Sequence, residues 1–236
     1  MNLAGKTVLI TGATGDSAGP VIRAVAETGA NVALTARSAE RLDRVANDLG
    51  LAERALLVTA DLADAADVDR LLAAIRERWA GVDVLVQLAG GWGGGQRLAE
   101  TDVADWDAVL DSNLRSTFLV CRAVAGQMAA RGWGRIVTVA SVAAERPRSR
   151  QAAYNVAKAG VAALTASIAQ DYARQGVVAN TISPSIIDTP ANREGSPNAD
   201  PSRWVTPEQL AALVLFLCSE EAAGLNGANV PLYGRV

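Results

Sequence analysis

Histidine is absent from this 236-residue sequence. That removes every Ser-His or Cys-His catalytic pair and most zinc sites, so no metal centre is expected. Cysteine occurs only as Cys121 and Cys218, each inside an apolar run. Both read as buried free thiols, and no disulfide framework is expected. A surplus of either charge is missing too: the formal net charge is −3. There is no basic footprint for nucleic acid and no polybasic stretch for anionic lipid. The apolar run at 210–218 is too short to span a bilayer. No charged segment followed by an apolar one precedes the first strand-like run, so a cytoplasmic protein is expected. Lysine is nearly lacking, with Lys6 and Lys158 alone in a chain that otherwise uses arginine. Tyrosine occurs at 154, 172 and 233 only.

What remains is ordinary for a globular chain, with 50% of residues hydrophobic and 20% charged. The length suits one core and a single domain over 1–236. Short β-branched runs alternate with segments of helical spacing. Strands are predicted at 7–10, 31–35, 55–59, 82–88, 135–140, 178–182 and 228–232. Helices are predicted at 20–28, 39–49, 65–79, 105–130, 152–174 and 207–218. The strands are nearly continuous apolar runs, as expected of strands buried on both faces. The economical architecture is α/β: a doubly wound, Rossmann-type parallel sheet with helices on both faces. The polar stretch 191–203, within a segment 185–206, reads as a mobile substrate loop or lid.

Three constellations carry chemistry. The first strand runs into Thr11-Gly12-Ala13-Thr14-Gly15-Asp16-Ser17-Ala18-Gly19. A glycine-rich strand–helix turn offers backbone amides and a helix N-terminus to a dinucleotide pyrophosphate, here through Gly12, Thr14, Gly15 and Ser17. The second strand ends in Ala36-Arg37-Ser38. An acid there would bind an adenosine ribose diol, whereas Arg37 suits a 2′-phosphate and points to NADP, with NADPH preferred over NADH. Tyr154 and Lys158 stand four apart on a predicted helix and so share a face. Composition gives only roughly 0.03 such pairs by chance. An ammonium beside a phenol stabilises the phenolate, which makes Tyr154 a usable acid or base. Ser141 ends a buried strand, on the edge where open α/β sheets bind ligands, and its hydroxyl can polarise a carbonyl.

These residues together resemble the short-chain dehydrogenase/reductase family along essentially the whole chain. The family pattern is a strand-end serine, then Tyr-x-x-x-Lys thirteen residues later, matched by Ser141, Tyr154 and Lys158. Asn113 is similar to the family's upstream asparagine. Asp61-Leu62 resembles its adenine-contacting pair, and Ala89-Gly90 the end of its Asn-Asn-Ala-Gly strand. The segment holding Pro184 and Ile187 is similar to the turn that binds the nicotinamide carboxamide. The resemblance implies that Tyr154 exchanges a proton with the substrate oxygen and that Ser141 polarises the carbonyl. It implies that Lys158 holds the nicotinamide ribose and depresses the tyrosine pKa, with Asn113 holding a relay water. Tyr154 would also lie against the cofactor. Departures are Asp16 and Ala18 in place of two glycines, Gln87-Leu88 in place of paired asparagines, and a C-terminus without the usual Asp-Gly-Gly.

The expected activity is NADPH-dependent reduction of a ketone to a secondary alcohol, a 3-oxoacyl thioester being the commonest substrate of similar chains. The alternatives are an NAD-dependent alcohol dehydrogenase and a non-catalytic protein on the same fold. Trp92, in Gly91-Trp92-Gly93-Gly94-Gly95, is expected to line the substrate pocket. No acid or arginine cluster is expected near that loop or the lid to select a substrate charge class. The long helices 105–130 and 152–174 are apolar enough for a homodimer or homotetramer.

Overall fold

The computed structural model describes residues 2–235. The strands are β1 (Thr7–Thr11), β2 (Asn31–Ala36), β3 (Leu56–Thr59), β4 (Val84–Gln87), β5 (Gly134–Val139), β6 (Val177–Pro184) and β7 (Asn229–Leu232). The helices are α1 (Ala18–Glu27), α2 (Ala39–Asp48), α3 (Ala65–Arg78), α4 (Val103–Leu110), α5 (Ser116–Ala130), α6 (Ala152–Tyr172), α7 (Pro190–Gly195) and α8 (Pro207–Cys218). All seven strands pair in parallel, in the order β3-β2-β1-β4-β5-β6-β7. Chain order reverses between β1 and β4, where an open α/β sheet places its ligand crevice.

Alternation along each strand divides the core. Val8 and Ile10 of β1 face a cluster with Ile22 of α1 and Val214 of α8. Leu9, between them, faces the other layer, with Leu71 and Ile75 of α3 and Val120 of α5. The sheet is therefore covered on both faces, as its apolar runs require. Local signals fix the ends of elements. Asp64 caps α3 by accepting from the Ala66 amide, and Thr206 and Gln209 form a reciprocal capping box on α8.

Two expectations need correction. The helix predicted over 105–130 is not regular: a five-residue π-turn, Asp111–Arg115, separates α4 from α5. Hydrophobic spacing alone does not reveal one inserted residue, and such turns concentrate at functional sites. The stretch 191–203 is not plain loop either. It contains α7, which Thr189 caps by accepting from the Asn192 amide, and a short 3₁₀ turn at Pro201–Arg203. A bridge between Ile187 and Val205 closes the base of this excursion, and Trp204 and Val205 are buried.

Candidate active site

The expected site residues lie at or beyond the carboxyl ends of the strands, or on an element packed against that edge. β1 ends at Thr11 and turns at Gly12, whose φ is +64°. A Cβ there would stand 2.7 Å from the Ala89 amide nitrogen, so only glycine lets the first turn lie against the end of β4. Among the described residues, no acceptor takes the amides of Thr14, Asp16 or Ser17. Ser17 precedes α1 without a side-chain cap. These free amides and the start of α1 fit an anionic pyrophosphate. Asp16 is exposed, and among the described residues it makes no hydrogen bond of its own. At the end of β2, Ser38 caps α2 by accepting from the Arg41 amide at 3.3 Å, and Arg37 stays exposed. Arg41, one turn on, donates to the Thr14 carbonyl at 2.9 Å and steadies the first turn. Sequence reasoning did not single it out. Asp61 is exposed and Leu62 buried beyond β3.

The π-turn delivers Asn113 to the end of β4, where it is 1% exposed. Its Nδ2 donates to the carbonyls of Gly91 at 2.9 Å and Val109 at 3.0 Å, and its Oδ1 accepts from the Gly91 amide at 3.2 Å. Gly90 has φ +149°, and a Cβ there would stand 2.6 Å from Asn113 Oδ1 and 3.2 Å from Lys158 Nζ. The asparagine oxygen and the lysine ammonium thus face one small space that a side chain at 90 would fill. Behind them, Thr11, Gln87 and Thr117 form a buried chain. Thr11 donates to Gln87 at 2.9 Å, and Thr117 donates to the Asn113 carbonyl at 2.6 Å. Gln87 completes this link by donating to Thr117 at 3.5 Å.

Ser141 follows β5 and turns the chain into a 3₁₀ turn, accepting from the Ala143 amide at 3.2 Å. Tyr154 lies on the first turn of α6 and hydrogen-bonds Ser141. Lys158, one turn later, is 6% exposed and donates to the Val139 carbonyl at 3.0 Å, with Nζ 5.7 Å from the Tyr154 ring centre. Burial lowers its pKa to about 8. The tyrosine departs from expectation. Burial raises its pKa, opposed by the hydrogen bond from Ser141, and Lys158 is not among the causes. The lysine is held to the strand end rather than to the phenol.

Beyond β6, Ser185 donates to the Tyr233 carbonyl at 2.8 Å, and Asn192 Nδ2 donates to the Ile187 carbonyl at 2.8 Å. The segment from Pro184 to Ile187 is therefore braced from both sides. Trp92 is 65% exposed and lines no closed wall. Among the described residues, no group of His, Cys, Asp or Glu side chains could hold a metal ion, and no helix is long and apolar enough to cross a membrane.

Known proteins resemble the chain along its length. The family model described as short chain dehydrogenase matches residues 6–200. D-threitol dehydrogenase of Mycolicibacterium smegmatis is 35% identical, over 98% of this chain and 93% of that enzyme. 2-(R)-hydroxypropyl-CoM dehydrogenase of Xanthobacter autotrophicus is also 35% identical, over 97% of both chains. The crystal structure of levodione reductase superposes with a TM-score of 0.92 at 30% identity, over 99% of this chain and 98% of that one. With its parallel seven-stranded sheet and these relatives, the chain belongs to the short-chain dehydrogenase family, whose oxidoreductases work with a nicotinamide cofactor.

Proposed function

We propose that the protein reduces a ketone to a secondary alcohol with NADPH, and that Tyr154 is the proton donor. The observation that carries this reading is the convergence of Ser141, Tyr154, Lys158 and Asn113 at the ends of β4 and β5. The first turn, with its free amides and glycine at 12, would hold the pyrophosphate. Arg37 would receive the 2′-phosphate, Asp61 and Leu62 the adenine, and Ala89 and Gly90 the inner ribose. The segment from Pro184 to Ile187 would hold the carboxamide. When bound there, the cofactor supplies the hydride.

The protein supplies position and protons. Ser141 donates a hydrogen bond to the carbonyl oxygen and fixes its place. Tyr154 gives that oxygen its phenolic proton as negative charge develops. The raised pKa keeps the proton on the phenol at neutral pH until it is needed. Lys158, beside the ring, stabilises the phenolate left behind. A water in the space shared by Asn113 Oδ1 and Lys158 Nζ would return the proton from solvent. Trp92, on its glycine-flanked loop, would fold over the bound substrate, with the excursion over 185–206 as the facing lid. A homodimer or homotetramer is supported by exposed apolar side chains on α4, α5 and α6.

The test is oxidation of NADPH, with NADH in parallel, against a panel of ketones including 3-oxoacyl thioesters. NADPH should be preferred, and Tyr154→Phe should lower kcat by about 10²- to 10⁴-fold with cofactor binding kept. Equal rates in the variant would overturn the assignment of the proton donor. A preference for NADH would overturn the role of Arg37 and favour a dehydrogenase working towards the ketone.

A further inference from the structure

The segment between Ser141 and Tyr154 contains Glu145-Arg146-Pro147-Arg148-Ser149-Arg150. Three arginines alternate along a loop whose two ends are fixed at the reaction centre. The loop is held firmly. Asn155, next to Tyr154, donates from Nδ2 to the Arg148 carbonyl at 2.8 Å. The Gly95 amide donates to the Arg150 carbonyl at 2.7 Å, which ties the loop to the glycine-rich segment that carries Trp92. A Cβ at Gly94 would stand 2.7 Å from that same carbonyl oxygen, so the two loops lie in close contact. The expectation of no arginine cluster near the Trp92 segment is overturned, because the two loops meet through backbone atoms that the sequence does not show. Folded, the segment has one against its side.

Charge on this loop is unbalanced. Its single acid, Glu145, is engaged by protein donors: Oε1 accepts from Asn229 Nδ2 at 2.7 Å and Oε2 from the Tyr233 hydroxyl at 2.8 Å. Arg146 lies over the Tyr233 ring, 5.2 Å from its centre. Arg148 and Arg150 are exposed, and among the described residues neither guanidinium has an ion pair or hydrogen bond. Arg150 is also the one non-glycine described residue with positive φ, at 60°. Glycine would hold that backbone without strain, and strain of this kind concentrates at ligand-binding sites.

We propose that this loop is an oxyanion-binding rim of the active site, and that the substrate carries a carboxylate, phosphate or sulfonate in addition to its carbonyl. Arg148 and Arg150 receive that group. A planar guanidinium meets such an oxyanion with two parallel hydrogen bonds, and this fixes the substrate's direction as well as its affinity. The proposal rests on the ketone-reductase reading and adds the charge of the substrate to it.

The test uses two matched pairs with NADPH: 3-oxobutanoate against its methyl ester, and 3-oxobutanoyl-CoA against the neutral N-acetylcysteamine thioester. The first pair asks for a carboxylate near the carbonyl, the second for phosphates at the end of a long arm. The wild type should favour the charged member of one pair by about tenfold in kcat/KM, and added salt should weaken that preference. In Arg148→Gln/Arg150→Gly the ratio should fall toward one. The glycine suits the backbone at 150, so a folding defect does not confound the result. No preference in either pair, or one that survives the double variant, overturns the rim. Quenching of tryptophan fluorescence by the oxyanion substrates needs no turnover. Salt-sensitive quenching that the double variant lacks, without turnover of any ketone, supports the rim and overturns the reductase reading instead.

Discussion

Lys158 is the residue in which fold and chemistry are most tightly coupled. Its ammonium is nearly solvent-free, and burial brings its pKa from 10.5 to about 8. Between those two values the unfolded chain carries a proton that the folded chain has lost. This one group therefore makes stability rise with pH from about 8 toward 10.5, and below 8 its full desolvation penalty acts against folding. In the proposed mechanism, the lysine that would stabilise the phenolate is thus charged only on the acid side of about 8. Because the chain has two lysines, ¹³C labelling at the lysine ε-carbon yields two signals. The one missing in Lys158→Met should titrate near 8. A midpoint at 10 or above would show that the ammonium is solvated and that the buried geometry does not hold. At this scale the sequence was informative. Tyr154 and Lys158 were recognisable by spacing, Ser141 by its place at a strand end and Asn113 only by resemblance, and the fold brings the four together. The cause of the tyrosine's shift was not recognisable, because desolvation depends on neighbours brought in by the whole sheet.

At the scale of elements, β-branched runs and caps located the strands and most of the helices. Irregularity was what escaped. The π-turn at Asp111–Arg115 turns Asn113 toward Gly90, and no periodicity marks it. The arginine loop was readable as residues but not as a partner of the Trp92 loop, since their contact is made through backbone atoms. The same helices raise a question of assembly. Val103 on α4 is 73% exposed, Val156 on α6 48% and Phe118 on α5 43%. Such exposed apolar groups on mutually packed helices fit an interface between copies of this chain. Sedimentation should read a dimer or tetramer, and Phe118→Asp/Val156→Asp should shift it toward monomer. A monomeric wild type at micromolar concentration would overturn the expectation.

Across the whole molecule, the sheet separates chemistry from support. β5 carries both on one strand. At its carboxyl end stands Ser141. At its amino end Arg135 is 3% exposed, and its guanidinium donates to Glu220 at 2.9 Å. Trp133 donates to the same carboxylate at 2.6 Å. Lys6 and Arg135 both lie over the Trp133 ring, at 3.9 and 4.6 Å from its centre. A buried guanidinium needs a counter-charge, and Arg135 Nε already lacks an acceptor. Glu220 is 69% exposed, so solvent screens the pair and its contribution falls well below that of a fully buried one. Glu220→Ala should cost about 1–2 kcal/mol, which for a chain of this length lowers Tm by roughly 2–8 °C. Turnover should stay within about twofold of the wild type, because additivity holds between distant sites without shared partners. Thermal unfolding and steady-state kinetics on the same preparation decide it. A loss of kcat without a loss of Tm would mean that the amino edge of β5 communicates with Ser141. The sheet would then be a conduit between its two edges rather than a partition.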